Sequence, residues 1–271
     1  MAHDWDLTIT GTEETPTSLL AFGTRGALPV VLKIFRQSGD EWHSPAVLEA
    51  FAGRGMVELL DHRDGAILLE RLIPGTSLAD LALSGRDAEA TETLADVVHQ
   101  ISEADPTVNP IPTAADWGRG FAGYLRSEDS QLDRGLVERA GHRYGRLTAS
   151  QRKPRLLHGD LQHYNILHDS QRGWVAIDPK GVLGEIEYEL GASFRNPGQS
   201  PVYYTGREVV EERLRIYTAQ LNIVPERVLA WAYAQAVLSA IWLVEDGIPV
   251  APDAPPILLA QTIESILPPG P

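Results

Sequence analysis

Two short apolar segments on either side of a polar loop constrain this chain more than any other feature of its sequence. The loop occupies residues 158–165, and a third apolar segment, 174–177, follows it and ends at an acid. Short segments rich in valine, isoleucine and leucine are typical of buried strands. Asp160, Asn165 and Asp178 would then project from strand ends into one small space. A carboxylate that orients a hydroxyl group, with an amide and a second carboxylate as oxygen ligands for Mg²⁺, is the set that magnesium-dependent phosphoryl transfer requires.

The peptides around this loop carry a resemblance to a known family. HGDLQHYN (158–165) resembles the catalytic loop of the aminoglycoside phosphotransferases, which have His-Gly-Asp where protein kinases have His-Arg-Asp. IDP (177–179) stands where protein kinases carry Asp-Phe-Gly. The continuation DPKG (178–181), with GE (184–185) close behind, is similar to the aminoglycoside/hydroxyurea antibiotic resistance kinases, whose best-known members are streptomycin kinases. The resemblance extends through nearly the whole chain.

The resemblance implies an α+β, bilobal protein-kinase-like fold. A small N-terminal lobe would hold an antiparallel β-sheet and one helix, and a larger, mainly helical C-terminal lobe would follow. We therefore expect a nucleotide-binding lobe at residues 1–71, a hinge at 72–75 and a catalytic and substrate-binding lobe at 76–271. ATP and Mg²⁺ are the implied cofactors.

Local patterns along the chain agree with this division. Alternating or continuous apolar segments predict three strands and then a hairpin with an Asp-Gly turn. Apolar residues at spacings of three, four and seven predict helices in the second half. The predicted strands are 7–9, 18–22, 30–35, 56–61 and 66–70, and the clearest predicted helices are 94–101, 117–125, 132–147, 207–221, 225–246 and 256–267.

Lys33 interrupts an otherwise apolar strand, and a half-buried lysine requires an anionic partner. Under the resemblance the partners are the ATP phosphates and a glutamate of the following helix. Helical spacing favours Glu41 over Glu49, because Glu49 points away from the apolar side. Pro45 leaves the choice open, since Ser44-Pro45 is also typical of a helix start, which would place Glu41 before the helix.

The remaining nucleotide contacts rest on the resemblance. A kinase carries a glycine-rich hairpin between its first two strands, but here residues 11–18 contain a single glycine and two acids. Backbone N–H groups and the hydroxyl of Ser18 are candidates for binding phosphate. The backbone of Glu70 and Leu72 would face the adenine edge. No Walker-type loop occurs in the sequence, which argues against a P-loop fold.

In the implied reaction Asp160 aligns the acceptor hydroxyl and takes its proton, while Asn165 and Asp178 bind the magnesium ion. Lys33 holds the phosphates that are not transferred. Lys180 has two interpretations: it contacts the transferring phosphate, or it pairs with a nearby glutamate and holds the loop.

Three alternating acids follow the predicted metal loop. If the segment is extended, Glu185, Glu187 and Glu189 point the same way and could receive cationic groups of a substrate; if it is helical, they spread around a turn. We selected Glu185 and Glu187 as substrate candidates. Arg195 is a further candidate, or it ties this segment to the core.

Composition excludes several classes of protein. The chain has 271 residues, a formal net charge of −14 and no cysteine. The charge argues against nucleic acid or an anionic membrane as the main partner, and we expected no apolar segment of membrane-spanning length. The acid surplus serves solubility, or part of it lines a cleft for a cationic substrate. We expect a cytoplasmic monomer or weak dimer.

We therefore predict an ATP-dependent phosphotransferase that phosphorylates a hydroxyl of a small molecule, an aminoglycoside-type, streptomycin-like antibiotic or a related compound. One alternative is a metabolite kinase of the same fold acting on a sugar, amino alcohol or nucleoside. The other is a nucleotide-binding pseudokinase that serves as an interaction module. The absence of an Ala-Pro-Glu segment argues against a protein substrate. His158, His163 and His168 recur every five residues, but backbone hydrogen bonding explains them better than a metal site.

Overall fold

The first part of the chain is a five-stranded antiparallel sheet. The structure is a computed structural model that describes residues 3–36, 44–102 and 111–267. The sheet order is β1-β2-β3-β5-β4. All five predicted strands are present, and the first three are longer than predicted. They are β1 (Leu7–Glu14), β2 (Ser18–Arg25), β3 (Leu28–Phe35), β4 (Leu59–Arg63) and β5 (Ala66–Glu70).

The alternation of side chains along β3 divides its two faces. Val30 and Leu32 pack into a small apolar cluster under the sheet with Trp5. Lys33 therefore lies on the opposite face, and it stands opposite Leu20 of β2 and Ile67 of β5. That face leads to the main core of the molecule.

Helix α1 (Ser44–Phe51) packs against the main core through the three residues that the sequence predicts, Val47, Leu48 and Phe51. Glu49 lies on the exposed side and pairs with His62 at 3.6 Å. The prediction that Glu41 partners Lys33 falls outside the described residues.

The hairpin β4–β5 turns at Asp64-Gly65, as predicted, and Gly65 adopts a φ of +77°. Beyond β5 the predicted hinge is partly a strand. Pro74 and Gly75 begin β6 (Pro74–Ser77), which pairs with β8 (Ile166–Asp169) and, through it, with β9 (Gly173–Ala176). The division of the chain at residues 72–75 stays a prediction.

The rest of the chain is mainly helical, as predicted. One predicted helix is split in two at Gly118, where the ring of Tyr144 packs so closely that a Cβ would lie 2.6 Å from it. Helices α2, α4 and α6 begin at side-chain caps from Ser77, Thr113 and Asp133. The helices are α2 (Leu78–Leu83), α3 (Asp87–Ile101), α4 (Ala114–Trp117), α5 (Arg119–Arg126), α6 (Arg134–Ala149), α7 (Ile186–Glu189), α8 (Pro201–Tyr204), α9 (Arg207–Leu221), α10 (Pro225–Glu245) and α11 (Pro255–Ile266).

Helix α10 is the central helix of this part and is apolar around most of its circumference. By length and composition alone it could cross a membrane, with a mean hydropathy of 1.5 over its most apolar 18 residues. The expectation that no apolar segment approaches that length was therefore wrong. Of that window, 67% is buried against α5, α6, α7, α9 and α11, which is the environment of a core helix.

Candidate active site

A sharp turn carries the predicted catalytic loop. Strand β7 (Arg155–Leu157) ends at the loop, and a 3₁₀ turn, His163–Asn165, leads into β8. Gly159 adopts a φ of +85°, and a Cβ there would lie 2.8 Å from the ring of Trp117. Both the backbone angle and the contact require glycine, so the glycine of His-Gly-Asp follows from local geometry.

Buried polar groups hold the backbone of this loop in place. The His158 ring is fully buried, and its Nε2 lies 2.8 Å from the carbonyl oxygen of Ile177. Burial lowers the pKa of His158 to about 4, so its ring is neutral at pH 7. The carboxylate of Glu189 accepts hydrogen bonds from the N–H groups of His158 and Gly159 at 2.6 and 2.9 Å.

Asp160 and Asn165 lie in direct contact. The Asn165 Nδ2 donates to the backbone oxygen and to the Oδ2 of Asp160, at 2.8 and 3.2 Å. The guanidinium of Arg195 lies 3.7 Å from the other carboxylate oxygen of Asp160, whose side chain is 33% exposed. Burial raises the pKa of Asp160, and the charges of Arg195 and Lys180 oppose the rise. The carboxylate is thus accessible and has both cationic and hydrogen-bonding neighbours.

Asp178 meets Lys33 across the molecule. The Lys33 Nζ lies 2.5 Å from Asp178 Oδ1, although 145 residues separate the two in sequence. Lys33 is nearly buried, whereas the side chain of Asp178 is 35% exposed. Burial alone would raise the pKa of Asp178, but the charges of Lys33 and Lys180 outweigh it and lower the pKa. Asp178 therefore stays ionised at neutral pH.

The side-chain oxygen atoms of Asn165 and Asp178 fit a magnesium ion. Asn165 uses its amide nitrogen as a donor to Asp160, so its amide oxygen is the atom that can bind a cation. Asp178 supplies carboxylate oxygen. Among the described residues no group of three or more His, Cys, Asp or Glu side chains could hold a metal by itself. Two oxygen ligands completed by phosphates and water is the coordination that Mg²⁺ commonly takes.

The three histidines do not form a metal site within the described part of the chain. His158 bonds to a backbone oxygen, and the ring of His168 packs edge-on against Trp174. His163 is fully buried, and neither ring nitrogen has a hydrogen-bond partner in the structure.

Lys180 lies two residues after Asp178, in the loop that follows β9. Its backbone N–H donates to the carbonyl oxygen of His158 at 2.9 Å. Its positive charge opposes the rise in the pKa of Asp160 and lowers the pKa of Asp178. The carboxylate of Glu185 is engaged by Arg227 and Trp231, as described next. The role of Lys180 toward a phosphate stays a prediction.

The three alternating acids lie at and within helix α7, so the helical alternative is correct. Glu185 is 2% exposed, and its carboxylate accepts hydrogen bonds from Arg227 and from Trp231 Nε1, the latter at 2.5 Å. Glu187 is 9% exposed. The structure does not bring Glu185 together with Asp160. Arg195, in contrast, lies beside Asp160.

The predicted nucleotide-binding residues other than Lys33 lie around the first sheet. Ser18 is buried, with its Oγ 2.9 Å from the hydroxyl of Thr15. The carboxylate of Glu70 accepts from the N–H of Glu58 at 2.8 Å and pairs with Arg172. Leu72 belongs to the main apolar core. Their roles toward a nucleotide stay predictions.

Sequence reasoning missed Glu189, which anchors the loop. The signal was present, since Glu189 belongs to the alternating acids, but an extended segment and a helix predict different partners for it. Only the helical geometry of α7 directs this carboxylate to the N–H groups of residues 158 and 159.

Comparison with known proteins agrees with this geometry. A model of the aminoglycoside/hydroxyurea antibiotic resistance kinase family matches residues 8–247. Streptomycin 3''-kinase of Klebsiella pneumoniae is 33% identical over 82% of this chain and 83% of that protein. Hydroxyurea phosphotransferase of Kitasatospora aureofaciens is 32% identical over 84% of this chain and 64% of that protein.

Solved structures share the fold at lower sequence identity. Aminoglycoside phosphotransferase APH(4)-Ia, in a ternary complex with ADP and hygromycin B, is 15% identical, with a TM-score of 0.67 over 97% of this chain and 96% of that one. The predicted bilobal, kinase-like fold is confirmed by this likeness.

Proposed function

Because the chain belongs to the aminoglycoside/hydroxyurea antibiotic resistance kinase family, we propose that it transfers the γ-phosphoryl group of ATP to a hydroxyl of a small molecule, foremost a streptomycin-like aminoglycoside. One observation carries the proposal. Lys33 and Asp178 form an ion pair at 2.5 Å beside the contact between Asp160 and Asn165, so residues from distant parts of the chain share one centre. The relatives named for streptomycin and hydroxyurea support the class of acceptor.

The residues of the centre divide the work of the transfer. Asp160 accepts a hydrogen bond from the acceptor hydroxyl, aligns its oxygen with the γ-phosphorus and takes the proton as the new P–O bond forms and the bond to ADP breaks. Asn165 and Asp178 would hold Mg²⁺, which supplies charge neutralisation for the nucleotide phosphates. Lys33 would bind the phosphates that remain on ADP. The ADP in the related solved structure supports nucleotide binding here.

Two further cations lie beside the base. Lys180 and Arg195 both favour the ionised form of Asp160. The same two positive charges would stabilise the negative charge of a transferring phosphoryl group. An alcohol is a weak acid, so alignment and charge neutralisation contribute more to the rate than proton removal. We propose Arg195 and Glu187 as residues at the acceptor side. Glu185, enclosed by Arg227 and Trp231, is better explained as part of the scaffold.

The same centre would serve a metabolite kinase, because the catalytic residues act on a hydroxyl and do not select the molecule that bears it. A pseudokinase is disfavoured by the complete set of Lys33, Asp160, Asn165 and Asp178. We further propose that the protein acts in the cytoplasm, where ATP is available, as a monomer or weak dimer.

Phosphate transfer across an acceptor panel tests the proposal. The purified protein with ATP and Mg²⁺ is offered streptomycin, other aminoglycosides, hydroxyurea and simple sugars, amino alcohols and nucleosides, and the phosphorylated product is identified by mass. We expect transfer to an aminoglycoside. Transfer to a metabolite alone would support the alternative kinase, and transfer to no acceptor would refute the proposal.

Replacing Asp160 by Asn tests the role of the base in the same assay. We expect turnover to fall by about 100- to 10,000-fold, while the affinity for ATP, measured by calorimetry, stays within about 3-fold. Asp64→Asn, in the exposed turn of the β4–β5 hairpin, is the matched control. Full activity of Asp160→Asn would remove Asp160 from its role.

A further inference from the structure

Arg213 is a charged side chain buried in the helical part of the molecule. It lies on α9 with an exposed fraction of 0%. Its Nε and Nη2 donate to the two carboxylate oxygens of Asp87, the first residue of α3, at 3.0 and 2.6 Å. Tyr204 packs its ring against the same guanidinium, with 5.1 Å between the charge and the ring centre.

The remaining nitrogen of Arg213 reaches a different segment. Its Nη1 donates to the carbonyl oxygens of Ser193 and Asn196, at 2.7 and 2.8 Å. These two carbonyl groups lie on either side of Arg195 in the chain. Arg213 therefore fixes the backbone on both sides of the residue whose guanidinium lies 3.7 Å from Asp160.

Stability alone does not explain this arrangement. A buried ion pair gains little net free energy over well-packed apolar residues, because both charges must be taken out of water. A guanidinium can, however, bind a carboxylate with two nitrogens and still donate from a third in a fixed plane, which lysine cannot do. Here Asp87 orients that plane and the third nitrogen holds the loop.

We propose that Arg213 and Asp87 form a positioning pair for the transfer reaction: they hold residues 193–196 so that Arg195 stays beside Asp160. The proposal rests on the proposed function. Neither residue of the pair touches the reacting centre, and both act through Arg195.

Steady-state kinetics with the best acceptor of the panel test whether Arg213 and Asp87 affect the transfer reaction. Arg213→Lys keeps the charge but loses the planar fork, and Asp87→Asn keeps the shape but loses the charge. We expect kcat to fall by about 10- to 100-fold in both, as for misplacement of a reacting group, with KM for ATP within about 2-fold. Tyr124→Phe is the control, since it removes a buried hydroxyl whose hydrogen bonds go to Asp129 and Leu132 and not to residues 193–196, and it should leave kcat unchanged.

A double-mutant cycle separates positioning from a general effect. If Arg213 acts through Arg195, then Arg213→Lys should lower kcat much less in the Arg195→Gln background than in the wild type. Equal losses in both backgrounds would overturn the proposal. A fall in melting temperature with unchanged kcat in the folded variant would also overturn it, because that is the result expected of a purely structural pair.

A spectroscopic measurement needs no acceptor. The Nε–Hε resonance of Arg195, assigned by its loss in Arg195→Gln, should shift or broaden in Arg213→Lys and in Asp87→Asn but not in Tyr124→Phe. An unchanged resonance in both variants overturns the proposal, as does failure of both to fold. If the wild type phosphorylates no acceptor, the proposed function fails, while this resonance still decides whether the pair holds Arg195.

Discussion

Replacement of Glu185 by Ala should destabilise the protein without weakening binding of the acceptor. The carboxylate is 3% exposed and is shared by Arg227 and Trp231 Nε1, with the N–H of Arg152 at 3.2 Å as a third donor. The alanine variant leaves a largely buried guanidinium and a buried indole N–H without their acceptor. Removing one partner of a buried pair costs about 3–5 kcal/mol, and a chain of this size loses about 2–4 °C of melting temperature per kcal/mol. We therefore expect the melting temperature to fall by about 6–20 °C.

Thermal unfolding at pH 7 measures this loss, and urea unfolding gives its free energy. Glu226→Gln, an exposed acid in the first turn of α10, is the matched control and should change the free energy of unfolding by less than about 0.5 kcal/mol. Kinetics at 25 °C on the folded fraction should show an unchanged KM for the acceptor. The reasoning fails if Glu185→Ala unfolds like the wild type while that KM rises 10-fold, since Glu185 would then be a substrate ligand, as its sequence position first suggested.

Two further predictions concern the nucleotide and the pH dependence of stability. Lys33→Met should lower kcat/KM for ATP by about 10- to 150-fold, the equivalent of losing one charge-assisted hydrogen bond of about 1.5–3 kcal/mol. Arg36→Met, at an exposed arginine, is the control and should leave kcat/KM for ATP unchanged. Equal kinetics in the two variants would contradict the assigned role of Lys33. Burial raises the pKa of Glu189 to about 7 in the folded protein from an ordinary 4.5. The folded state therefore favours the protonated acid, so the stabilisation that comes from this residue is complete below pH 4.5 and is lost as the pH rises through about 7. The pKa difference between the folded and unfolded states corresponds to about 3 kcal/mol. In urea unfolding between pH 4.5 and 8, Glu189→Gln should gain about that much stability relative to the wild type as the pH rises. A constant difference between the two proteins across this range would exclude the raised pKa.

Most of the fold could be predicted because the signals are local. The five strands of the first sheet, the Asp-Gly turn and the helix at 207–221 follow from periodicity and turn residues, and all are present. The parts that could not be predicted depend on tertiary contacts. The ring of Tyr144 packs against Gly118, where α4 ends and α5 begins, and β6 at Pro74-Gly75 pairs with β8, which comes far later in the chain.

The candidate site divides in the same way. The order of Lys33, Asp160, Asn165 and Asp178 in the sequence suggested one centre. In the structure they form two contacting pairs, Lys33 with Asp178 and Asn165 with Asp160. The supporting residues, such as Arg213 and Asp87, could not be identified from the sequence because their role depends on burial. Nothing in the sequence distinguishes Arg213 from the exposed arginines around it, and its partner Asp87 lies 126 residues away.

The charges at the centre indicate where selectivity for the acceptor must arise. Two carboxylates, Asp160 and Asp178, lie among three cations, Lys33, Lys180 and Arg195. This balance suits the phosphates of a nucleotide, and before the nucleotide binds a positively charged group of an acceptor would be repelled from it. Of the acids that follow the metal loop, Glu185 pairs with Arg227 and Glu189 binds backbone N–H groups, which leaves Glu187 as the acid proposed at the acceptor side. We expect the carboxylates that would attract a cationic acceptor, Glu187 among them, to lie at the acceptor side and not among these five charged residues.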